Sequence, residues 1–77
     1  MLLDIAIVSP TEVILEGQAR SVIVPGEQGV FEILPFHKHI ISRLVSGTVV
    51  IDGQTIAIRR GILKAAHNKV TVIVEEA

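Results

Sequence analysis

The sequence predicts an all-β fold, a small antiparallel β-sandwich of about 8–10 short strands. Three observations lead there. Val and Ile supply 11 and 12 of the 77 residues, and β-branched side chains are stiff at χ1 and pack well on a pleated sheet. Turn formers interrupt the apolar stretches at close spacing. No segment repeats its apolar residues at a helical period.

Leu2–Val8 reads as the first strand, stopped by Ser9-Pro10. Glu12–Leu15 is the second, ended by Gly17, and Gln18–Val24 the third, stopped by Pro25-Gly26. Val30–Leu34 follows. Between these two strands, Pro25-Gly26 and Gln28-Gly29 mark a tight, polar, glycine-rich connection, which suggests a docking surface more than a reaction centre. His37–Leu44 reads as loop passing into strand, ending at Ser46-Gly47. The sharpest local signal is Asp52-Gly53, between Thr48–Ile51 and Gln54–Arg60. A type I′ hairpin turn needs φ > 0 at both central positions, and Asp-Gly tolerates that. Gly61 is expected to break the strand, with Ile62–Ala66 as a separate one. His67-Asn68-Lys69 then turns the chain into Val70–Glu75. Val70, Val72 and Val74 share one face of that strand, whereas Val49-Val50-Ile51 is apolar on both faces.

A chain of 77 residues forms a single domain, 1–77. With no cysteine, neither a disulfide nor a thiolate zinc site staples it. Hydrophobic residues make up 49% of the chain and mean hydropathy is +0.61. Some of this apolar surface is expected to lie against a partner. A net charge of −1 gives no steering field for nucleic acid, and Phe31 and Phe36 alone make no base-stacking platform. Apolar runs fall far short of the ~20 residues of a membrane-spanning helix, so no direct membrane insertion is expected. Met1-Leu2-Leu3-Asp4 lacks the basic start of a signal peptide.

Chemistry-bearing patterns are sparse. His37 and His39, two apart on a strand, would project from one face and could begin a metal site with His67 or Glu32 as third ligand. The plainer reading is surface or interface histidine. Arg59-Arg60 is a solvated dibasic pair more readily than a phosphate site. The Gly26–Gly29 turn lacks the Lys-Ser/Thr and following helix of a phosphate loop. Ser9, Ser21, Ser42 and Ser46 stand in no nucleophile elbow. The expectation is a non-enzyme without cofactor or metal: a protein-interaction domain, with a stand-alone adaptor or a histidine-based metal- or small-ligand-binding domain as alternatives.

The order of motifs along the chain resembles a known family. Val8-Ser9-Pro10 and Gly17 are followed by Val22-Ile23-Val24-Pro25-Gly26-Glu27-Gln28-Gly29 and Ile33-Leu34-Pro35-Phe36-His37. A Leu44-to-Gly47 turn, Gly61-Ile62-Leu63 and Asn68-Lys69-Val70-Thr71-Val72 complete the series. The series is similar to the N-terminal domain of the epsilon subunit of F-type ATP synthases. That resemblance implies a sandwich of about ten strands and a non-catalytic place in the central stalk. There the domain binds gamma and the c-ring, helping to couple proton or sodium flow to ATP synthesis. It implies a peripheral location on the cytoplasmic face of a bacterial membrane. It also implies a gamma-facing set, Ser9, His37, Lys38 and Ser42, and a c-ring-facing tip, Glu27, Gln28, Gly29, Val30 and Phe31. The family's helical hairpin, which restrains rotation and in some bacteria binds ATP, does not follow Ala77. A short subunit without nucleotide binding is therefore expected. The chain departs from the family's pattern where Phe36-His37-Lys38-His39 replaces Gly-His-Ala-Pro. It also has Val30 in place of an acid, and Glu32 and Arg60 in place of glycines.

Overall fold

The computed structural model describes residues 1–77. The chain forms eight strands and no helix. They are β1 (Leu3–Val8), β2 (Val13–Ala19), β3 (Val22–Gly26), β4 (Gly29–Ile33), β5 (Ile40–Leu44), β6 (Gly47–Ile51), β7 (Gln54–Ala66) and β8 (Lys69–Glu76). This lies within the range read from the turn spacing and below the ten strands implied by the resemblance.

β7 organises the rest. Its start, Gln54–Ile58, pairs with β6, and its end, Gly61–Ala66, pairs with β5 on one side and β8 on the other. A register shift between Ile58 and Arg60 marks the bend between the two parts. One strand thus serves both layers, β2-β1-β8-β7-β5 and β4-β3-β6-β7. The expected break at Gly61 does not occur. A Cβ at Gly61 would stand 2.7 Å from the Ile73 carbonyl oxygen, so glycine here permits β7 to approach β8 closely.

Two other boundaries move for tertiary reasons. β2 runs through Gly17 to Ala19, because Leu3–Ile7 offer an antiparallel ladder along that stretch. A paired ladder outweighs the ~1 kcal/mol entropic penalty of one strand glycine. The expected Gln18–Val24 strand instead divides at Arg20-Ser21, where the chain crosses between layers. The backbone N–H of Arg20 donates to both Asp52 carboxylate oxygens at 3.0 Å, and that of Ser21 to Oδ1 at 3.1 Å. The pairing is antiparallel with one exception: β1 and β8, the first and last strands, run parallel.

Alternation supplies the core. Leu3, Ile5 and Ile7 of β1, Val70, Val72 and Val74 of β8, and Val22 and Val24 of β3 are all buried. No polar or charged side chain is buried. Pro25 is accommodated within β3, its carbonyl accepting the Val45 N–H at 2.9 Å. The Asp52-Gly53 turn has the expected positive φ values, 45° and 89°. A second turn of the same kind joins β7 to β8. It comprises two residues rather than three, His67 (φ 50°) and Asn68 (φ 59°), between the paired Ala66 and Lys69.

The registers sort the loops into two ends. Met1-Leu2, Arg20-Ser21, Leu34–His39, Asp52-Gly53 and His67-Asn68 gather at the end that holds all three histidines. Ser9–Glu12, Glu27-Gln28 and Val45-Ser46 gather at the other.

Two substitutions test this account by urea denaturation. Gly61→Ala should lower stability by about 1–3 kcal/mol, because backbone must shift to admit the methyl group. Asp52→Ala should cost about 1–3 kcal/mol, from the loss of the acceptor that holds Arg20 and Ser21.

Candidate functional site

The histidine end is built around Asn68. Left-handed backbone at Asn68 lets its side chain turn back towards the 34–39 loop, and Asn tolerates that conformation better than most residues. Its Oδ1 accepts the Phe36 N–H at 2.7 Å. Its backbone oxygen accepts the Asp4 N–H at 2.8 Å. One residue therefore ties the β7–β8 turn, the β4–β5 loop and the start of β1. The His37 N–H donates to the Leu34 carbonyl at 3.2 Å, closing the turn.

That turn places Phe36 at φ 68°. For a residue with a Cβ this region costs about 1–2 kcal/mol. The ring does not recover it by burial, since Phe36 is 76% exposed. Met1, Leu2 and Leu34 are also exposed at this end. The result is an apolar patch raised on a loop that Asn68 pins.

The histidines do not assemble as a ligand set. His37 Nδ1 lies 2.8 Å from the Lys38 carbonyl oxygen, which makes that nitrogen a donor. His39 instead meets His67 edge to face, with ring centroids 4.5 Å apart. No group of three or more His, Asp or Glu side chains converges anywhere in the chain. Arg60 is engaged with Glu75 at 2.8 Å on the surface.

At the other end, Glu27-Gln28 form the two-residue connection between the paired Gly26 and Gly29. Phe31 folds over this turn: a Cβ at Gly26 would stand 2.6 Å from its ring, so a side chain there would displace the ring. Val30 projects outward, 72% exposed. β4 pairs only with β3, and β5 meets β3 only at Leu44–Gly26, so the sandwich is open on this side. An open groove of about 420 Å³ lies there between the 27–31 segment and Ile40–Arg43.

The sequence-derived residues divide accordingly. Glu27, Gln28, Gly29, Val30 and Phe31 form one continuous surface, and Ser42 joins their groove. Ser42 is half-buried and pairs with the buried Leu63. His37 and Lys38 sit at the histidine end, and Ser9 at the opposite one. There the Ser9 hydroxyl accepts the Glu12 N–H at 3.2 Å within the β1–β2 turn. Ser9 and Ser42 are thus not brought together with His37 and Lys38. On the outer face of the first layer, Ile62 and Ile73 are cross-strand neighbours, and both are exposed, as is Ile41. Sequence reasoning missed Asn68 and the conformation of Phe36. A signal existed for Asn68, since Asn tolerates φ > 0.

Comparison with known proteins follows the same lines. The family described as "ATP synthase, Delta/Epsilon chain, beta-sandwich domain" matches residues 2–77. The ATP synthase epsilon chain of Sulfurovum sp. (strain NBC37-1) is 37% identical over 81 residues, covering 99% of this chain and 63% of that relative. The epsilon chain of Bordetella petrii is 41% identical over 80 residues, covering 97% of this chain and 57% of the relative. The chain thus spans less than two thirds of the length of these curated relatives. Among solved structures, a chain of the Euglena gracilis mitochondrial ATP synthase (OSCP/F1/c-ring) superposes with TM-score 0.89 at 16% identity, covering 97% of this chain and 51% of that one. A chain of the Tetrahymena thermophila mitochondrial ATP synthase central stalk/c-ring gives 0.82 at 10% identity, covering 96% and 63%. At these identities the structural likeness speaks to fold.

The Asn68 hub has a direct test. Asn68→Ala should destabilise the domain by about 1–3 kcal/mol, through the orphaned Phe36 N–H and the strained turn. Hydrogen exchange at the Phe36 amide should accelerate. Asn68→Asp, which keeps the acceptor, should retain most of the protection.

Proposed function

This chain belongs to the delta/epsilon β-sandwich family of ATP synthase, and on that footing we propose that it is a non-catalytic rotor subunit in the central stalk. The observation that carries the reading is the family match over residues 2–77, nearly the whole of the chain. A particle measuring 31 × 27 × 20 Å with no polar or charged side chain in its interior offers packing and surface rather than a reaction centre.

In this reading the domain joins gamma to the c-ring. The c-ring-facing tip is Glu27, Gln28, Gly29, Val30 and Phe31, with Ser42 lining the adjoining groove. Val30 offers the c-ring an apolar contact where the family carries an acid. Gamma meets the 34–39 loop with His37 and Lys38, and the exposed isoleucines of the first layer extend the surface available to it. Ser9 and Ser42 belong to the gamma-facing set by resemblance alone, the Ser9 hydroxyl being occupied within its own turn and Ser42 lying beside the tip's groove. The two surfaces lie at opposite ends, so both partners can be held at once, which a mechanical joint requires. The subunit would sit peripherally on the cytoplasmic face of the membrane and pass torque between the partners.

Co-expression with the gamma subunit of the same organism tests the proposal. A stoichiometric complex should survive affinity purification and gel filtration. A folded domain that leaves gamma unbound would refute it.

A further inference from the structure

The registers lay out the outer face of β2-β1-β8-β7-β5 as a grid of side chains. Its central row is apolar. Val13, Val8, Ile73 and Ile62 stand side by side on β2, β1, β8 and β7, and Arg43 of β5 ends the row. Val13, Ile73 and Ile62 are each more than half exposed. Ile41, also exposed, flanks the row on β5. The charges of this face are segregated. The β2–β1 half carries Glu16 and Asp4, with Glu12 just ahead of β2, and no cation. Asp4 is bonded there only to the neutral Gln18. The β7–β5 half carries Arg60, Lys64 and Arg43, with Lys38 in the loop before β5, and no acid. β8 lies between the halves with one charge of each sign on this face, Lys69 and Glu75, the latter paired with Arg60. Two corners are neutral: Arg20 sits beside Asp52 past the end of β2, and Arg59 and Glu76 stand together at the bend of β7.

A face built this way is complementary to itself. A two-fold axis along the strands, placed over β8, sets the acidic half of one copy on the basic half of the other. It also keeps row against row. Ile73 meets Ile73 of the second copy, Ile62 meets Val8, and Arg43 comes down over Val13, next to Glu16. A partner of a single charge sign would be repelled by one half or the other. Two sheets facing one another at the usual ~10 Å accommodate such a row of branched side chains from each side. Five strands about 4.8 Å apart, with four rows of outward side chains, cover roughly 450 Å² per copy. Doubled, that area stands at the low end of specific interfaces, which makes the pair one of modest affinity.

We infer that two copies of this chain, free of gamma, pair through this outer face as a symmetric dimer with β8 over β8. The apolar row supplies the attraction, and the segregated charges fix the orientation. In the proposed role gamma covers the same isoleucines, so the pair belongs to the chain not yet built into the rotor. The dimer does not depend on that role and is tested without gamma.

Sedimentation equilibrium of the isolated chain reads the outcome. A monomer–dimer equilibrium should be evident by about 100 µM at low salt and should shift towards monomer as salt is added. Ile73→Asp sets two carboxylates against each other on the axis and should weaken the dimer at least about tenfold. Arg43→Glu and Glu16→Lys, each alone, should weaken it at least about threefold. The two together in one chain exchange the charges of the halves and should recover most of the loss. All four positions are exposed, so the urea midpoints should stay close to that of the parent chain. A parent chain that remains monomeric up to about 1 mM overturns the inference. A dimer that Ile73→Asp leaves within about twofold uses another surface, such as a free strand edge, and overturns it as well. If the double variant is no better than either single one, the two-fold arrangement is wrong and the inference fails with it.

Discussion

Everything in this fold depends on one strand having to serve two layers. β7 leaves its partner β6, bends after Ile58, and continues between β5 and β8. Just past the bend, Gly61 lets the strand lie close against the Ile73 carbonyl. With that corner in place, the inward-facing residues of both layers, Leu63 and Val72 of the first and Val22 and Val49 of the second among them, close on one another and lose their contact with solvent. A chain of this size buries only about 60% of its unfolded surface. It has no staple to compensate for a poorly turned corner.

The strands were legible where alternation and turn chemistry agreed. Val70, Val72 and Val74 announced a one-sided strand, and Asp52-Gly53 announced its turn from two residues. The misreadings have a common cause. Gly17 and Gly61 carry the same local signal as a strand end, and only their partners decide otherwise. Arg20-Ser21 carries no glycine or proline and only a weak turn former in Ser21, because the turn is held by Asp52, 32 positions away from Arg20. The parallel pairing of β1 with β8 was invisible for the same reason. Local sequence reports what a segment prefers; it does not report which distant groups will pay the backbone to do something else.

The candidate site was legible in part. The motif series named the family and one continuous surface, Glu27–Phe31, which the fold assembles as a single turn and groove. The remaining residues were grouped by resemblance, and the geometry separates them by direction. Ser42 points to the groove side of its strand, and Ser9 closes a turn at the far end. Asn68, which governs the histidine end, lay unnoticed inside a turn signal, because its importance is a hydrogen bond to another loop rather than a property of its own segment.

The parallel pairing of the first and last strands has a consequence for how the protein comes into being. β1 is made before β2 to β7, yet its neighbour on the inner side of the layer, residues 69–76, is made after all of them. Until then the apolar face of Leu3, Ile5 and Ile7 has only the β2 hairpin beside it. Closure therefore cannot proceed strand by strand as the chain emerges; it waits for β8. During that interval the nascent chain displays a hydrophobic strand edge, and a chaperone or a waiting partner subunit has time to find it.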